Sequence, residues 1–502
     1  MKKLIFVCFF LMLYGYSYSQ SDVIVIDPAE ANQAVVFGGD NKLTVKAWAE
    51  GNTNSVSSKL FRDMNLKILR VPIFALQPIT DAIYDNVITV INSVKSYNPD
   101  VKIFASIANG DGYGVDHHGA AKFPSGWTGC CDYNVYKLNL TAYAAYLDSF
   151  MQRMTDAGIT VDYLGPYNED PGDDSDYLKI IDQMKKLGST KMVGVERWGL
   201  LTSIADVDDV EDRVEVVGSH FYDDTTIAEA DWDSTWASLV AKSEDPVWYT
   251  ESTRYSTGDN IGLLIAGLDN IFAPIRGGVE SVIFYQVCKR FVYANGSPLT
   301  VKYSGFQNIV NNAEGKVITS SSNNGNIKVV VFGDGTTLDV HIINKNTSNT
   351  NVDLQLLNNY KGNGTVTRKI WTASYTGTSS NFSLTNESNW NIELPATSYS
   401  HLKVTLDKAV LSIDDNVLKT GLQTIKVIPN PSNSNFQLIL PSASNSDKIE
   451  LKIYAVDGRE VFSETRKHES KVQINKTLQS GIYLISVKAG SNIFNEKIII
   501  KN

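Results

Sequence analysis

The chain reads as α/β: a (β/α)8 TIM barrel with an associated β-sandwich side domain and a small C-terminal all-β domain. Three observations predict this. From about residue 34 to 290, short β-rich runs alternate with amphipathic stretches of helical period. After Asn295 helical periodicity gives way to alternating strands punctuated by Asn, Gly, Ser and Thr. From about Lys426 a third, separate β pattern begins.

Barrel strands are expected at Ala34–Gly39, Ile68–Pro72, Lys102–Ala108, Tyr163–Tyr167, Met192–Glu196, Val214–His220, Val247–Thr250 and Ser281–Tyr285. Helices are expected between them at Ser55–Asn65, Tyr84–Tyr97, Asn139–Ala157, Tyr177–Leu187, Trp232–Lys242 and Ile261–Ile275. In Asn139–Ala157 the residues Leu140, Tyr143, Ala144, Leu147, Phe150, Met151 and Met154 recur at three and four, making one apolar face. Eight strand–helix units in about 250 residues is the arithmetic of a (β/α)8 barrel, whose functional residues gather at the strands' C-terminal ends. Sandwich strands are expected at Asn326–Phe332, Leu338–Asn344, Val352–Leu357, Val366–Thr372 and Ser400–Leu406. Asp22–Ile26, ahead of the barrel, is placed to pair with them. The expected division is therefore 20–33 for N-terminal sandwich strands, 34–295 for the barrel, 296–407 for the sandwich, 408–424 for a linker and 425–502 for the last domain.

Residues 1–19 read as a secretory signal peptide. Lys2 and Lys3 precede the apolar run Leu4–Tyr14, and small residues at Ser17 and Ser19 suit cleavage before Gln20. No later segment offers the roughly 18 uninterrupted apolar residues that a membrane helix needs. A length of 502 residues suggests two or three domains. A formal charge of −10 without a basic cluster argues against nucleic acid or an anionic membrane as partner. Cys8 leaves with the signal, so Cys130, Cys131 and Cys288 allow at most one internal bridge, and the chain is no disulfide scaffold. His117 and His118 with Cys130 and Cys131 match no zinc spacing. No metal or other cofactor is expected.

Two glutamates carry the chemistry. Glu169 closes the run Asp162–Pro166 through Tyr167-Asn168, and Glu251 closes Pro246–Tyr249 through Thr250. They end the expected fourth and seventh strands, which lie across the barrel mouth from one another. Cleavage of a glycosidic bond needs such a pair: one acid protonates the leaving oxygen, and one carboxylate attacks the anomeric carbon or activates water. A separation of about 5 Å would give retention, with Glu251 as nucleophile and Glu169 as acid/base. Burial beside a like charge would keep Glu169 protonated at neutral pH. Asn168 is placed to hydrogen-bond a sugar 2-hydroxyl. The Asn-Glu pair alone is not the signal, because it recurs at Asn386-Glu387 and Asn495-Glu496 in β-module sequence. The blander readings are a solvated loop carboxylate for Glu169 and a structural pair with Arg254 for Glu251.

The barrel resembles the clan A glycoside hydrolases, and most closely glycoside hydrolase family 30. The stretch from Tyr143-Ala144-Ala145-Tyr146-Leu147 through Gly158-Ile159 to Tyr163–Glu169 is similar to that family's run into its acid/base. Val247–Glu251 is similar to its run into the nucleophile, and Phe37-Gly38-Gly39 to its first strand. The resemblance spans roughly residues 22 to 407. Two positions depart from it: Asp170 stands between Glu169 and Pro171, where the family has proline directly, and Tyr167 replaces a glutamine.

The resemblance implies that Arg70 bonds the nucleophile and that His220 and Tyr222 lie in the pocket. Trp48, Trp127, Trp198 and Tyr285 fall in strand-end loops and are candidates to stack on sugar faces. The loop Asn109–Asn134 is long enough to wall a substrate site. Lys289 and Arg290 follow the eighth strand, near where the xylan-cleaving branch of the family holds a uronate with a basic residue. Arg290 is thus a candidate to bind a uronate or sulfate group. In the tail, Val427–Ser432, Leu451–Arg459 and Gly481–Val487 together resemble the C-terminal sorting domain of the type IX secretion system of Bacteroidetes. That implies export across the outer membrane, released or cell-surface, with this machinery as partner; the blander reading is an accessory β module.

The resulting expectation is a secreted, monomeric, retaining endo-glycosidase acting on a β-linked polysaccharide: xylan or glucuronoxylan, β-glucan, or an algal galactan. The alternatives are a non-catalytic carbohydrate-binding or surface protein with a degenerate barrel, or a related clan A enzyme acting on sulfated algal galactan.

Overall fold

The computed structural model describes residues 22–114, 120–127, 138–169, 174–251 and 258–408, and in the tail 425–428, 432, 435–440, 448–455, 459–467, 469, 471–489 and 492–500. The signal segment, His117, His118, Cys130, Cys131, Asp170, Pro171, Arg254 and nearly all of the expected linker lie outside the described residues. The chain forms two compact units that divide near residue 409.

Strand β1 (Asp22–Ala31) precedes the barrel. The barrel strands are β2 (Val36–Asp40), β3 (Ile68–Ile73), β4 (Lys102–Ile107), β5 (Tyr163–Gly165), β6 (Lys191–Arg197), β7 (Val216–His220), β8 (Val247–Glu251) and β9 (Ser281–Tyr285). They pair in sequence order, all parallel, and β9 closes on β2 from Val36↔Ser281 to Asp40↔Tyr285. This is the expected (β/α)8 barrel.

Side-chain alternation sorts the barrel interior into two layers. Near the strands' N-terminal ends Ile68, Phe104, Val193, Val216, Trp248 and Ile283 form an apolar plug. Two residues further along, the same inward positions hold Arg70, Ser106, Gly218, Thr250 and Tyr285. A polar layer therefore sits directly on an apolar floor. β6 breaks the alternation. There Val195 joins the outer core, and a bulge between Val195 and Arg197, with left-handed backbone at Val195 (φ 65°) and Glu196 (φ 47°), turns the Glu196 carboxylate inward. Only glycine fits at position 218 opposite: a Cβ there would lie 2.0 Å from Glu196 Oε1.

The helices wrap the strands with their apolar faces inward. Leu140–Asp156 is capped by Asn139, whose Oδ1 accepts from the Ala142 N–H at 3.1 Å, and buries Tyr143, Ala144, Leu147, Phe150, Met151 and Met154. Ile261–Arg276 is capped in the same way by Asn260. The stretch expected as Ser55–Asn65 is an α turn, Thr53–Ser57, that widens to π-helix over Ser58–Asp63. The stretch expected as Tyr177–Leu187 begins earlier, at Asp174, and ends at Gln183.

The expected loss of helix after Asn295 needs correction: Thr300–Asn311 is helical and buries Tyr303, Phe306 and Ile309. Its β-branched and Asn-rich sequence hides that face, and its N-cap residue, Leu299, supplies no capping side chain. Gly305 lets it lie close on Ile261–Arg276, since a Cβ there would meet Leu264 at 2.5 Å.

The strands β10 (Lys316–Ser322), β11 (Ile327–Gly333), β12 (Thr337–Asn344), β13 (Thr350–Leu356), β14 (Tyr360–Trp371), β15 (Thr376–Glu387), β16 (Asn389–Leu394) and β17 (Ser398–Lys408) follow. With β1 they make one sheet in the order β15-β14-β17-β12-β11-β10-β1-β13-β16. β1 runs antiparallel to β10 and parallel to β13, so the first described strand is built into the same sheet as the strands that follow the barrel. All nine strands give residues to a single apolar core, which requires the sheet to fold over on itself. β10, β15 and β16 were not expected; their Ser-, Thr- and Asn-rich outer faces read as loop.

Polar contacts join barrel and sandwich. Arg276 Nη1 donates to Val329 O at 3.0 Å, and Lys345 Nζ pairs with Asp269 at 2.6 Å. The buried Tyr399 hydroxyl meets Asn308 Nδ2 at 2.8 Å and His341 Nδ1 at 2.7 Å. The tail is a separate unit of two antiparallel sheets around one core. One holds β18 (Lys426–Ile428), β19 (Asn435–Ile439) and β22 (Lys471–Asn475); the other holds β20 (Lys448–Ala455), β21 (Glu460–Lys467), β23 (Gly481–Ala489) and β24 (Asn492–Ile500). Among the described residues no helix is long and apolar enough to cross a membrane.

Because Tyr399→Phe strands two buried polar atoms, it is expected to cost about 1–3 kcal/mol. Urea denaturation checks this, and an unchanged midpoint would show that the hydroxyl is not what ties the two layers.

Candidate active site

Arg70 is the centre of the polar layer and is fully buried. Its Nη1 donates to Glu251 Oε2 at 2.7 Å, Asp40 Oδ2 at 3.2 Å and Thr250 O at 3.2 Å. Its Nη2 donates to Glu196 Oε2 at 2.5 Å, Asn168 Oδ1 at 2.8 Å and Ser106 Oγ at 3.0 Å. The guanidinium also stacks over Phe104 of the apolar floor, 5.1 Å from the ring centre. From the end of β3, one planar fork thus fixes side chains from the ends of β2, β4, β6 and β8 and from the loop after β5.

The two glutamates named from sequence come together. Glu169, Glu251 and His220 each bring a polar atom within 4.8 Å of the others. Glu251 is clamped on both oxygens: Oε2 by Arg70 and by Lys42 Nζ at 3.2 Å, and Oε1 by the Tyr222 hydroxyl at 2.5 Å. Glu169 has left-handed backbone (φ 62°), donates its N–H to Glu196 O at 2.7 Å, and meets His220 Nδ1 at 3.0 Å through Oε1. Asn168 Oδ1 accepts from both Arg70 and Lys42 Nζ, the latter at 2.5 Å. With its oxygen held by two cations, the amide must present its Nδ2 donors elsewhere. The Lys122 ammonium donates to Asn168 O. The cleft above is lined by Lys42, Leu43, Asn109, Asn168, Glu169, Tyr222, Glu251 and Tyr285.

Burial opposes ionisation of Glu251, but Lys42, His220 and Arg70 together hold it well below the usual carboxylate range. Burial likewise opposes charge on Glu196, and Arg70 then His220 hold it low. His220 moves the other way: despite burial, Glu251, Glu169 and Glu196 push it up to about 9. Burial next to Glu251 keeps the Tyr222 hydroxyl protonated, so it donates. Burial raises Asp40 to about 6 against the pull of Arg70 and Lys42. The acids, His and cations alternate so that each buried charge faces an opposite one.

The remaining sequence candidates separate by position. Tyr285 lines the cleft, and Trp198, half exposed, stacks on Tyr222 at 5.5 Å with an interplanar angle of 15°. Trp127 is turned into packing, 5.4 Å from the Tyr146 ring and 6.2 Å from Tyr143. Trp48 is fully buried against Phe61 and is no sugar platform. Arg290 lies over the Tyr285 ring at 5.1 Å and donates to Tyr285 O, so it backs that ring. The buried Cys288 thiol is pushed up to about 12 by burial alone. Glu169, His220 and Glu251 have the spacing of a metal triad. A dication there would be set against Arg70 and Lys42, both already on Glu251 Oε2.

Lys42, Asp40, Ser106 and Glu196 are the site residues that sequence reasoning missed. Glu196 and Asp40 were visible as acids at strand ends, which is the signal that singled out Glu169 and Glu251. Lys42, just past β2, carried no such mark.

Three solved structures share this architecture. A glycoside hydrolase family 30 endoxylanase from Clostridium papyrosolvens C71 matches with TM-score 0.60 at 17% identity, over 76% of this chain and 100% of that one. A family 30 subfamily 8 xylanase from Clostridium acetobutylicum gives 0.60 at 17%, over 76% and 99%. An alpha-L-arabinofuranosidase from Thermotoga maritima gives 0.53 at 13%, over 77% and 100%. The fold is the one they share. Residues 426–501 match the family described as Secretion system C-terminal sorting domain. The tail is thus a type IX sorting domain, and the chain is exported to the cell surface or the medium. No curated protein matches the sequence.

His220 has a folded-state pKa above its ordinary 6.5, at about 9. Its contribution to stability is therefore fully present below about pH 6.5 and is lost as pH rises through about 9. The melting temperature should fall more steeply between pH 7 and 9.5 in the wild type than in His220→Asn. Parallel curves for the two would show that His220 is not protonated in the folded protein.

Proposed function

We propose that this protein is an exported, retaining glycoside hydrolase acting on a β-linked polysaccharide. One observation carries the reading: two glutamates from the ends of opposite barrel strands present oxygens within 4.8 Å of each other over a cleft. That spacing suits the roughly 5–5.5 Å carboxyl separation of retaining enzymes and leaves no room for the water of an inverting one.

In this reading a Glu251 oxygen attacks the anomeric carbon as the glycosidic C–O bond breaks. Arg70, Lys42 and Tyr222 keep that carboxylate ionised and aimed. The leaving oxygen takes a proton from Glu169, whose Oε1 is held at 3.0 Å by His220 Nδ1. A water then gives its proton to Glu169 and its oxygen to the anomeric carbon, which releases Glu251. Asn168 Nδ2, free to face the cleft, bonds the 2-hydroxyl of the sugar being cleaved.

The exposed Trp198 continues the Tyr222 ring outward as a second stacking surface, which favours an extended chain and endo action. The unsubstituted xylans, β-glucans and algal galactans suit such a surface. A uronate or sulfate held by Arg290 would have to displace its contact with Tyr285.

Glu169→Gln and Glu251→Gln are each expected to lower hydrolysis of the preferred polysaccharide by at least about a thousandfold. Reducing-sugar release over a panel of plant and algal polysaccharides measures this. Undiminished hydrolysis in either variant would remove that glutamate from the catalytic pair, and no hydrolysis by the wild type would leave a carbohydrate-binding barrel as the better reading.

A further inference from the structure

We propose that Lys42 reads the C2 oxygen of the sugar undergoing cleavage, and that the substrate carries a free hydroxyl there. The inference rests on the glycosidase reading and adds to its 2-hydroxyl contact a second, charged donor. The Lys42 side chain is 4% exposed, a burial that an ammonium tolerates only when its protons find acceptors. Two partners are in place: a hydrogen bond to Asn168 Oδ1 at 2.5 Å and an ion pair with Glu251 Oε2 at 3.2 Å. An ammonium has three protons. Among the described residues no third acceptor is within bonding distance, and Lys42 borders the cleft beside Leu43, Asn109 and Tyr285.

Lys42 bridges the residue that bonds the 2-hydroxyl and the residue that attacks C1. A sugar whose anomeric carbon faces Glu251 and whose O2 faces Asn168 must bring that O2 to the third proton of Lys42. The hydroxyl oxygen then accepts from Asn168 Nδ2 and from Lys42 Nζ together. The second bond is charge-assisted and strengthens as the C2 region polarises toward the oxocarbenium-like transition state. A sulfate at this position would be set against the Glu251 carboxylate held by the same ammonium. An acetamido group would bring an N–H donor toward a donor. A neutral hydroxyl fits both partners.

The test separates reading O2 from merely holding Glu251. Pre-steady-state release of dinitrophenolate is measured with 2,4-dinitrophenyl β-glycosides of xylose, glucose and galactose and of their β-1,4-linked disaccharides. The matching 2-deoxy-2-fluoro compounds are run beside them. The inductive effect of fluorine is the same for every enzyme variant and cancels in the comparison. In Lys42→Met the rate ratio between the hydroxy and fluoro sugars is expected to shrink about ten- to hundredfold relative to wild type. Lys42→Gln, which keeps a neutral donor, is expected to fall between. An unchanged ratio, with both sugars slowed equally, overturns the inference and leaves the glycosidase reading standing. No release from any sugar by the wild type overturns both. Loss of cooperative melting in both variants makes Lys42 a structural residue and also overturns it.

Discussion

A buried guanidinium is costly unless its donors find acceptors, and the site of this protein is organised around the acceptors of the two terminal nitrogens of Arg70. Its two terminal nitrogens reach six acceptors contributed by β2, β4, β6, β8 and the loop after β5. Lysine would supply a point charge there and could not hold Asn168 and Glu196 on one edge of a plane while holding Glu251 on the other. The apolar plug beneath matters equally. It stacks Phe104 on the guanidinium and excludes water from below, which makes each charge pair above it stronger.

Glu196 shows how far the backbone is bent to this end. A regular β6 would direct Val195 into the barrel and Glu196 out of it. Two successive left-handed residues and a glycine at 218 reverse that, at a cost in local strain. The result is used twice, because the Glu196 carboxylate pairs with Arg70 while its carbonyl oxygen holds the Glu169 N–H. Glu169 directly, and Glu251 through Arg70, are thus tied to one residue that does not line the cleft.

Much of this was legible from sequence, for identifiable reasons. Barrel strands are short, continuous apolar runs, and the period of Leu140–Asp156 is unbroken, so neither is ambiguous. Glu169 and Glu251 stood out because each closes an apolar run and sits in a stretch that resembles a family 30 run into a catalytic acid. What stayed hidden depends on geometry that sequence does not display. The inward turn of Glu196 follows from a bulge, and a bulge has no residue signature beyond strand-like valines. Lys42 gains its meaning only when the ends of β2, β5 and β8 are brought together. Trp127 and Trp48 look the same in sequence as Trp198, yet helix packing takes the first two and leaves the third in the open. The helix Thr300–Asn311 was masked by residues with weak helical preference that packing overrides.

The central claim is that the Arg70 network holds two carboxyl groups at the separation that lets one of them bond to the sugar. The configuration of the first product tests this most directly. Proton NMR during the opening minutes of hydrolysis, before mutarotation, distinguishes the anomers of the newly formed reducing end. The account requires a β-linked polysaccharide to yield the β-anomer first. Initial appearance of the α-anomer would mean that water, and not Glu251, meets the anomeric carbon, and would contradict it.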